Sequence, residues 1–366
     1  MTKIRVLHIL DNLKSGGVQR FLLNLSRSIN KENFEFTFII NKESSGYIYD
    51  ELKKLNCKIF LVKRTKLGLS YFCNLKKVIL QNSKFDIIHV HKNYLSLPDL
   101  FVAKLLGIKT RICHGHANYK SRNWFISTIK IVTSYLIRLI ATDLWACSNE
   151  SWEWLYKKDS QRKVIIKNLI QYSSFEYSDD ENKKKLEEFD IKDKFVIVHV
   201  GRFTKEKNHA FLFEIFESFL KEYKNTVLLL IGDGPLLNYY KKIISESNLE
   251  NYIYTFGDVP KVENYLSIAD VFVLPSISEG LPLSVIEAQV NGLICLVSDV
   301  ITPEIKISNR IHFLSLLDQK IWVNKLLEIK DFKGYTRNVS IDQSFNSLVV
   351  TTKVEKLYED LYEKRR

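Results

Sequence analysis

The densest set of reactive side chains in this 366-residue chain lies in SISEGLPLSVIEAQVNG, residues 276–292. Glu279 and Glu287 are separated there by seven residues, and Gly280, Leu281, Pro282 and Leu283 lead from an apolar strand pattern, DVFVLP, into a helical one. A helix start offers N–H groups without intrahelical partners at the positive end of its dipole, which suits a phosphate group. Ser284 and Glu287 also fit the S-x-x-E capping box, in which Glu287 would be an ordinary cap. A second group is VGRFTKEKN, residues 200–208, again a strand running into a loop and a helix. Arg202 brings a planar fork and Lys207 a compact charge, so together they could neutralise a diphosphate without a metal. Lys205 between them reads as solvated decoration.

Weaker signals lie at the other strand ends. Gly16 and Gly17, in LDNLKSGGVQRF, permit close approach of backbone to a ligand just before a helix. The full G-x-G-x-x-G fingerprint is missing, which counts against a dinucleotide dehydrogenase. IGDGP, residues 231–235, reads as structural, with Pro235 suited to a first helical turn. Histidines come in pairs two apart, His89 with His91 and His114 with His116, so each pair shares one face of a strand. No carboxylate or Cys stands at a diagnostic zinc spacing, and no metal is expected. An imidazole hydrogen-bonding sugar hydroxyls or assisting proton transfer fits better; a satisfied strand-end histidine is the alternative for His89 and His91. His199 lies within an apolar strand and is expected in the core.

The elements that must position these groups follow an α/β rhythm. KIRVLHIL, FEFTFII, KIFLV and DIIHVH alternate with helical stretches, and FVIVHVG, TVLLLIGDG, YIYTFG, DVFVLPS and LICLVSD repeat the pattern later. Continuous apolar strands separated by helices imply parallel sheets buried on both faces. The rhythm breaks over the polar stretch 173–194, where a linker is expected. The reading is two Rossmann-like domains, 1–175 and 176–346, with a helix at about 347–366 packing back on the first. Two such sheets would face a central cleft at the carboxyl ends of their strands, where ligands bind.

Composition agrees. At about 150 residues per domain the length allows two to three domains, and 46% hydrophobic with 26% charged residues is ordinary for a globular chain. Cys57, Cys73, Cys113, Cys147 and Cys295 are widely spaced among apolar neighbours and read as reduced core residues. The apolar stretch 125–141 is interrupted by Lys130 and Arg138 and reads as a helix packed on a sheet, not a membrane span. The net charge is +17 over residues 1–175 and −5 over the remainder. A basic first half could face nucleic acid, an anionic membrane or a phosphorylated substrate. No helix-turn-helix, zinc finger or RNP-like signature is present, so nucleic acid is not expected.

Taken in order, GGVQRF, the strand-end histidines, GRFTKEKN and SEGLPLSVIEA resemble the retaining glycosyltransferases of family 4, with the two-domain GT-B fold. LPLSVIEAQ and the later SD look most like bacterial enzymes of capsular or exopolysaccharide assembly. The resemblance implies roles. Arg202 and Lys207 would grip the donor diphosphate, Glu287 the ribose, Glu279 the hydroxyls of the transferred sugar, and main-chain donors from Gly280 to Leu283 the phosphate oxygens. Gly17 would approach the donor phosphate, and Gln19 and His116 would lie near the acceptor. His114 matches the cleft histidine best, with His116 the alternative, and the base would lie near Phe256–Val259. Two departures stand out: Ile294 replaces a common Pro, implying altered local strand geometry, and KNLIQ, 167–171, lacks the usual Gly, implying altered hinge freedom.

The implied activity is transfer of a hexose or N-acetylhexosamine from a nucleotide diphosphate sugar, UDP-linked, with retention and without a metal or other cofactor. The implied acceptor is a carbohydrate or lipid-linked saccharide at the inner face of the plasma membrane. A cytoplasmic, peripheral protein would then meet an anionic surface, without insertion, through Lys53, Lys54, Lys58, Lys63, Arg64, Lys66, Lys76 and Lys77. A nucleotide-sugar 2-epimerase of the same fold and a noncatalytic sugar-nucleotide-binding assembly partner are the rival readings.

Overall fold

The computed structural model describes residues 3–14, 16–63, 69–82, 84–116, 124–157, 162–175, 191–332 and 336–365. It divides into two units, Met1–Gln171 with Ser344–Arg366, and Tyr172–Gln343. The first unit is built on a seven-stranded sheet with spatial order β3-β2-β1-β4-β5-β6-β7. Its strands are β1 Ile4–Leu10, β2 Phe34–Ile40, β3 Lys58–Leu61, β4 Ile87–Val90, β5 Thr110–Gly115, β6 Asp143–Ala146 and β7 Lys163–Ile165. Every pairing is parallel. β4 is buried along its whole length, as an apolar run covered on both faces must be.

Helices coat both faces of that sheet. On one side α1 Gly17–Ser28, which contributes Phe21, and α2 Tyr47–Lys54 pack over Phe36, Phe38 and Trp145. On the other lie α3 Leu69–Gln81, α4 Leu97–Leu105, α5 Trp124–Ile140 and α6 Asn149–Tyr156.

The second unit repeats the plan with six parallel strands in the order β10-β9-β8-β11-β12-β13. They are β8 Phe195–Val200, β9 Thr226–Ile231, β10 Ile253–Gly257, β11 Val271–Leu274, β12 Ile294–Ser298 and β13 Ile311–Leu314. The helices are α7 His209–Glu222, α8 Leu237–Glu246, α9 Glu263–Ser267, α10 Leu283–Val290 and α11 Gln319–Asp331. Ile294 opens β12 in regular register opposite Val271, so the missing Pro does not distort the strand. The turn before it depends on Gly292, at φ +82, where a Cβ would lie 2.2 Å from the Arg337 carbonyl oxygen. Pro235 falls in the turn ahead of α8, which begins only at Leu237.

The final helix, α12 Ser347–Arg365, belongs to the first unit. Val350, Val354 and Tyr358, at four-residue spacing, enter its core, and the Tyr358 ring stacks on Trp145 at 5.5 Å. Burying side chains of this size contributes about 1.5–3 kcal/mol each. The crossing is stitched by Ile170 N–H to the Phe345 carbonyl and Ser347 N–H to the Ile170 carbonyl, both 2.9 Å. The chain changes units at 171/172, slightly ahead of the expected 175/176. The Tyr172–Phe175 turn already belongs to the second unit, where Tyr172 donates to the Asp342 carbonyl and the Phe175 carbonyl accepts from Asn291. Most of the expected linker, 176–190, lies outside the described residues.

Candidate active site

β8 and β11 are neighbours at the centre of the second sheet, where the strand order reverses, and both strand-end loops carry sequence-predicted groups. After β8 the chain passes Gly201, Arg202 and the fully buried Phe203, makes a short 3-10 turn at Lys205–Lys207, and enters α7 through Asn208 in the left-handed conformation. The GDG turn after β9 holds this loop. A Cβ on Gly232, at φ +139, would fall 2.1 Å from the Gly201 carbonyl oxygen, and one on Gly234 would fall 2.7 Å from the Phe203 backbone. Phe203 N–H donates to Asp233 and Leu236 N–H to Phe203. The glycines are thus a packing requirement that fixes the Arg202 segment.

The loop after β11 is tied to the loop after β8. Ile277 N–H donates to the Glu206 carbonyl at 2.9 Å, and Asn208 Nδ2 to the Pro275 carbonyl at 3.1 Å. Across this seam Lys207 Nζ meets Glu279 Oε1 at 2.5 Å, the side chains being 16% and 13% exposed. Ser276 Oγ donates to the same carboxylate oxygen at 2.7 Å, and Ser298 Oγ holds the Ser276 carbonyl. Arg202, earlier in the β8 loop, is exposed, and its charge acts on Glu206. The Glu206 carboxyl is held below the usual range, first by its own backbone N–H, then by the Thr204 hydroxyl, with the Arg202 and Lys205 charges adding to them. Beneath lie His199 and His209. Burial pushes both imidazoles down, His209 to about 4, and the Lys207 charge adds to the effect. His199 is the expected core residue, its Nδ1–H donating to the Val273 carbonyl at 2.9 Å.

α10 begins at Leu283 with Pro282 at the cap position and no side-chain cap bond. Ser284 therefore lies inside the helix, and the capping box with Glu287 does not form. Glu287 is 5% exposed on this helix. One expected feature needs correction: Pro282 has no N–H, so Gly280, Leu281 and Leu283 are the residues of that segment able to donate. The Phe256–Val259 segment closes the end of β10. The Phe256 ring packs on Tyr265 at 4.7 Å, and the Gly257 carbonyl accepts from Gly232 at 2.7 Å.

The remaining predicted residues belong to the first unit. His8 of β1, His89 and His91 at the end of β4, and His114 and His116 at the end of β5 fall on one face of the sheet, because their spacings are even and His8 registers with His89. They form two hydrogen-bonded rows. In one, the Tyr358 hydroxyl meets His89 Nδ1 at 2.7 Å and His89 Nε2 meets His114 Nδ1 at 3.1 Å. In the other, His8 Nδ1 meets His91 Nε2 at 3.1 Å and His91 Nδ1 meets His116 Nε2 at 2.9 Å. Burial holds His8 and His116 down at about 3, and His89, His91 and His114 are lowered as well, so all five rings are neutral at neutral pH. His8–His89–His91 and His91–His114–His116 bring ring nitrogens within 4.8 Å of one another, the spacing a metal would need. One contact in each triplet, His8–His91 and His91–His116, is already used as an imidazole–imidazole hydrogen bond within a row.

His114 is 0% exposed, packed against Phe21, Trp145 and His116, and its Nε2 has no hydrogen-bond partner among the described residues. His116, one pleat further along, is half-buried. Gly17 is exposed at the start of α1, with open space around its missing Cβ. Gln19 is occupied locally, its Nε2 donating to the Asn12 carbonyl at 3.0 Å. Of the six described cations in the basic stretch expected to face a membrane, three are paired: Lys54 with Glu51, Lys58 with Glu35 and Lys63 with Glu43. Arg64 and Lys66 lie outside the described residues. His8 and Tyr358 carried no local signal.

Comparison with known proteins matches this architecture. The family model "Glycosyltransferase Family 4" covers residues 15–157, and "Glycosyl transferases group 1" covers 179–310. EpsF of Bacillus subtilis is 29% identical over 82% of this chain and 80% of that protein. The Escherichia coli UDP-Gal:alpha-D-GlcNAc-diphosphoundecaprenol alpha-1,3-galactosyltransferase is 27% identical over 98% of each chain. Among solved structures, a Rickettsia africae glycosyltransferase superposes with a TM-score of 0.80 at 18% identity over 99% of each chain. Anabaena HepE, solved with UDP and glucose, gives 0.76 at 14% identity, also over 99% of each. The chain belongs to the family 4 glycosyltransferases and has their GT-B fold.

Proposed function

We propose that this glycosyltransferase moves a sugar from a UDP-sugar to a lipid-linked saccharide in bacterial surface polysaccharide assembly, with retention of anomeric configuration and without a metal. The observation that carries the reading is the Lys207–Glu279 pair, joined across two strand-end loops of the second unit, with Arg202 in the first of these loops and the uncapped start of α10 following the second. As the bond to the diphosphate breaks, negative charge grows on its oxygens. Arg202, Lys207 and the N–H groups of Gly280, Leu281 and Leu283 are the donors for that charge. Glu279 takes sugar hydroxyls and Glu287 the ribose. In the first unit, Gly17 approaches the donor phosphate, Gln19 serves the acceptor, and His116, backed by His91, faces the reacting sugar in place of His114.

UDP as the nucleotide is supported by the bound molecule in HepE and by the name of the E. coli relative, and a lipid diphosphate acceptor by that same name. Such an acceptor brings the protein to an anionic membrane surface on the cytoplasmic side. Incubating purified protein with a panel of nucleotide sugars tests the reading. Slow release of UDP from one of them, and transfer when a lipid-linked acceptor is added, is the expected result. Epimerised nucleotide sugar without an acceptor, or binding without turnover, would replace it.

A further inference from the structure

α5 has 17 residues and no Asp or Glu. Its inward side is set by Ile137, which is 0% exposed in the core beneath α3, α4 and α6. The outward side is not polar. Ile129, Ile131, Val132, Tyr135, Leu136 and Leu139 are between 36% and 62% exposed. Ile131, Tyr135 and Leu139 form one row at four-residue spacing, with Val132 and Leu136 beside it. A surface helix ordinarily turns charges to water, and a contiguous apolar face marks an interaction site. α4 packs against α5 and adds Phe101 at 43% and Leu105 at 69% exposure. The helix read from sequence as packed on the sheet is therefore packed along one edge and apolar on its open side. Among the described residues, no helix is long and apolar enough to cross a membrane.

The surroundings of this face are cationic. The Arg138 guanidinium lies over the Tyr135 ring at 5.6 Å, and the Lys130 ammonium over Trp154 at 4.3 Å. A cavity of about 310 Å³ between α5 and α6 is walled by Tyr135, Leu136 and Trp154 and rimmed by Lys130, Arg138 and Lys157. None of these three cations has a carboxylate partner among the described residues, in contrast to Lys54, Lys58 and Lys63. Long basic side chains lay their stems along apolar surface and present the charge at its edge, the pattern of a helix lying in a lipid headgroup layer.

Resting on the membrane reading above, we propose that the open face of α5, with Phe101 and Leu105, docks this unit on an anionic lipid bilayer. The apolar side chains enter the headgroup boundary, and Lys130, Arg138 and Lys157 engage lipid phosphates. Docking by shallow insertion at α5 thus replaces the purely electrostatic contact expected of the Lys53–Lys77 stretch.

The test is cosedimentation of the full chain with phosphatidylglycerol–phosphatidylcholine vesicles and with phosphatidylcholine alone. Wild type is expected to sediment with the mixed vesicles and only weakly with the neutral ones. The double variant Ile131→Glu, Leu139→Glu is expected to partition at least about tenfold less, since two apolar contacts are replaced by charges that the anionic surface repels. Arg138→Gln should bind weakly while losing part of the salt dependence. Wild type remaining in the supernatant, or a double variant sedimenting like wild type, overturns the proposal. So does a wild-type dimer that the double variant turns into monomers without any lipid binding. Hydrolysis of the nucleotide sugar in the absence of vesicles should be unchanged in the double variant, which separates this surface from the transfer chemistry. Vesicle binding without any hydrolysis would count against the transfer reading alone.

Discussion

Lys207 Nζ and Glu279 Oε1 stand 2.5 Å apart across 72 positions of sequence, at the carboxyl ends of two adjacent parallel strands. Both side chains are mostly buried, and Ser276 donates to the same oxygen. The pair keeps a cation and a carboxylate poised together without leaving either charge uncompensated. On the proposed reading, a diphosphate that drew on Lys207 would loosen its hold on Glu279, whose oxygens would then become acceptors for sugar hydroxyls, coupling the two binding events.

Removing either cation should therefore act on the chemical step. Lys207→Ala and Arg202→Ala are each expected to lower turnover by roughly 100- to 1000-fold, the usual cost of one preorganised donor to a developing charge. Single-turnover kinetics with the preferred nucleotide sugar provides the check. Near-normal rates in both variants would remove the site.

Glu279→Gln should weaken sugar binding or turnover without trapping an adduct, because the carboxylate is committed to Lys207 and Ser276 and is not poised as a nucleophile. Intact-protein mass spectrometry of the wild type after donor incubation should show only the unmodified mass. A glycosyl ester on Glu279 would contradict this.

Gly232→Ala should destabilise the protein by about 1–3 kcal/mol through backbone strain, since the new Cβ would meet the Gly201 carbonyl oxygen at 2.1 Å. The same shift would displace Arg202. Thermal melting and turnover should fall together, whereas Gly17→Ala, with open space around it, should leave melting unchanged.

The buried histidines predict an acid response. Their folded pKa values are depressed, to about 3 for His8 and His116, against an ordinary 6.5. The unfolded chain therefore binds more protons below pH 6.5, and stability is full above that value and declines as pH falls toward 3. Each such ring adds a slope approaching about 1.4 kcal/mol per pH unit. Urea midpoints at pH 7.5, 6.5 and 5.5 should drop steeply only between the last two. Equal midpoints at all three would show that the rings are not held neutral.

The proposed donor site was legible as a set of strand-end positions, because apolar runs such as FVIVHV and DVFVLP mark those ends without reference to distant parts of the chain. The strand rhythm likewise foretold two parallel sheets. Depth and tertiary partners were not legible in the same way. Period two places His114 and His116 on one face, but their different depths, His114 enclosed by Phe21 and Trp145, come from residues far away in sequence. His8 and Tyr358 join the histidine rows only after folding, Tyr358 from 269 positions beyond His89. Pro282 is excluded as a donor by its identity alone. The outer face of α5 looked like core sequence because an apolar surface facing lipid has the same composition as one facing a sheet.

The most direct measurement is calorimetric titration of UDP into wild type, Arg202→Ala and Lys207→Ala in buffer containing EDTA. Saturable binding by wild type without added metal, and at least tenfold weaker binding by both variants, is the expected result, a difference of about 1.4 kcal/mol. UDP binding that appears only with Mg²⁺, or that is unchanged when both cations are removed, would contradict a diphosphate site built on these two side chains.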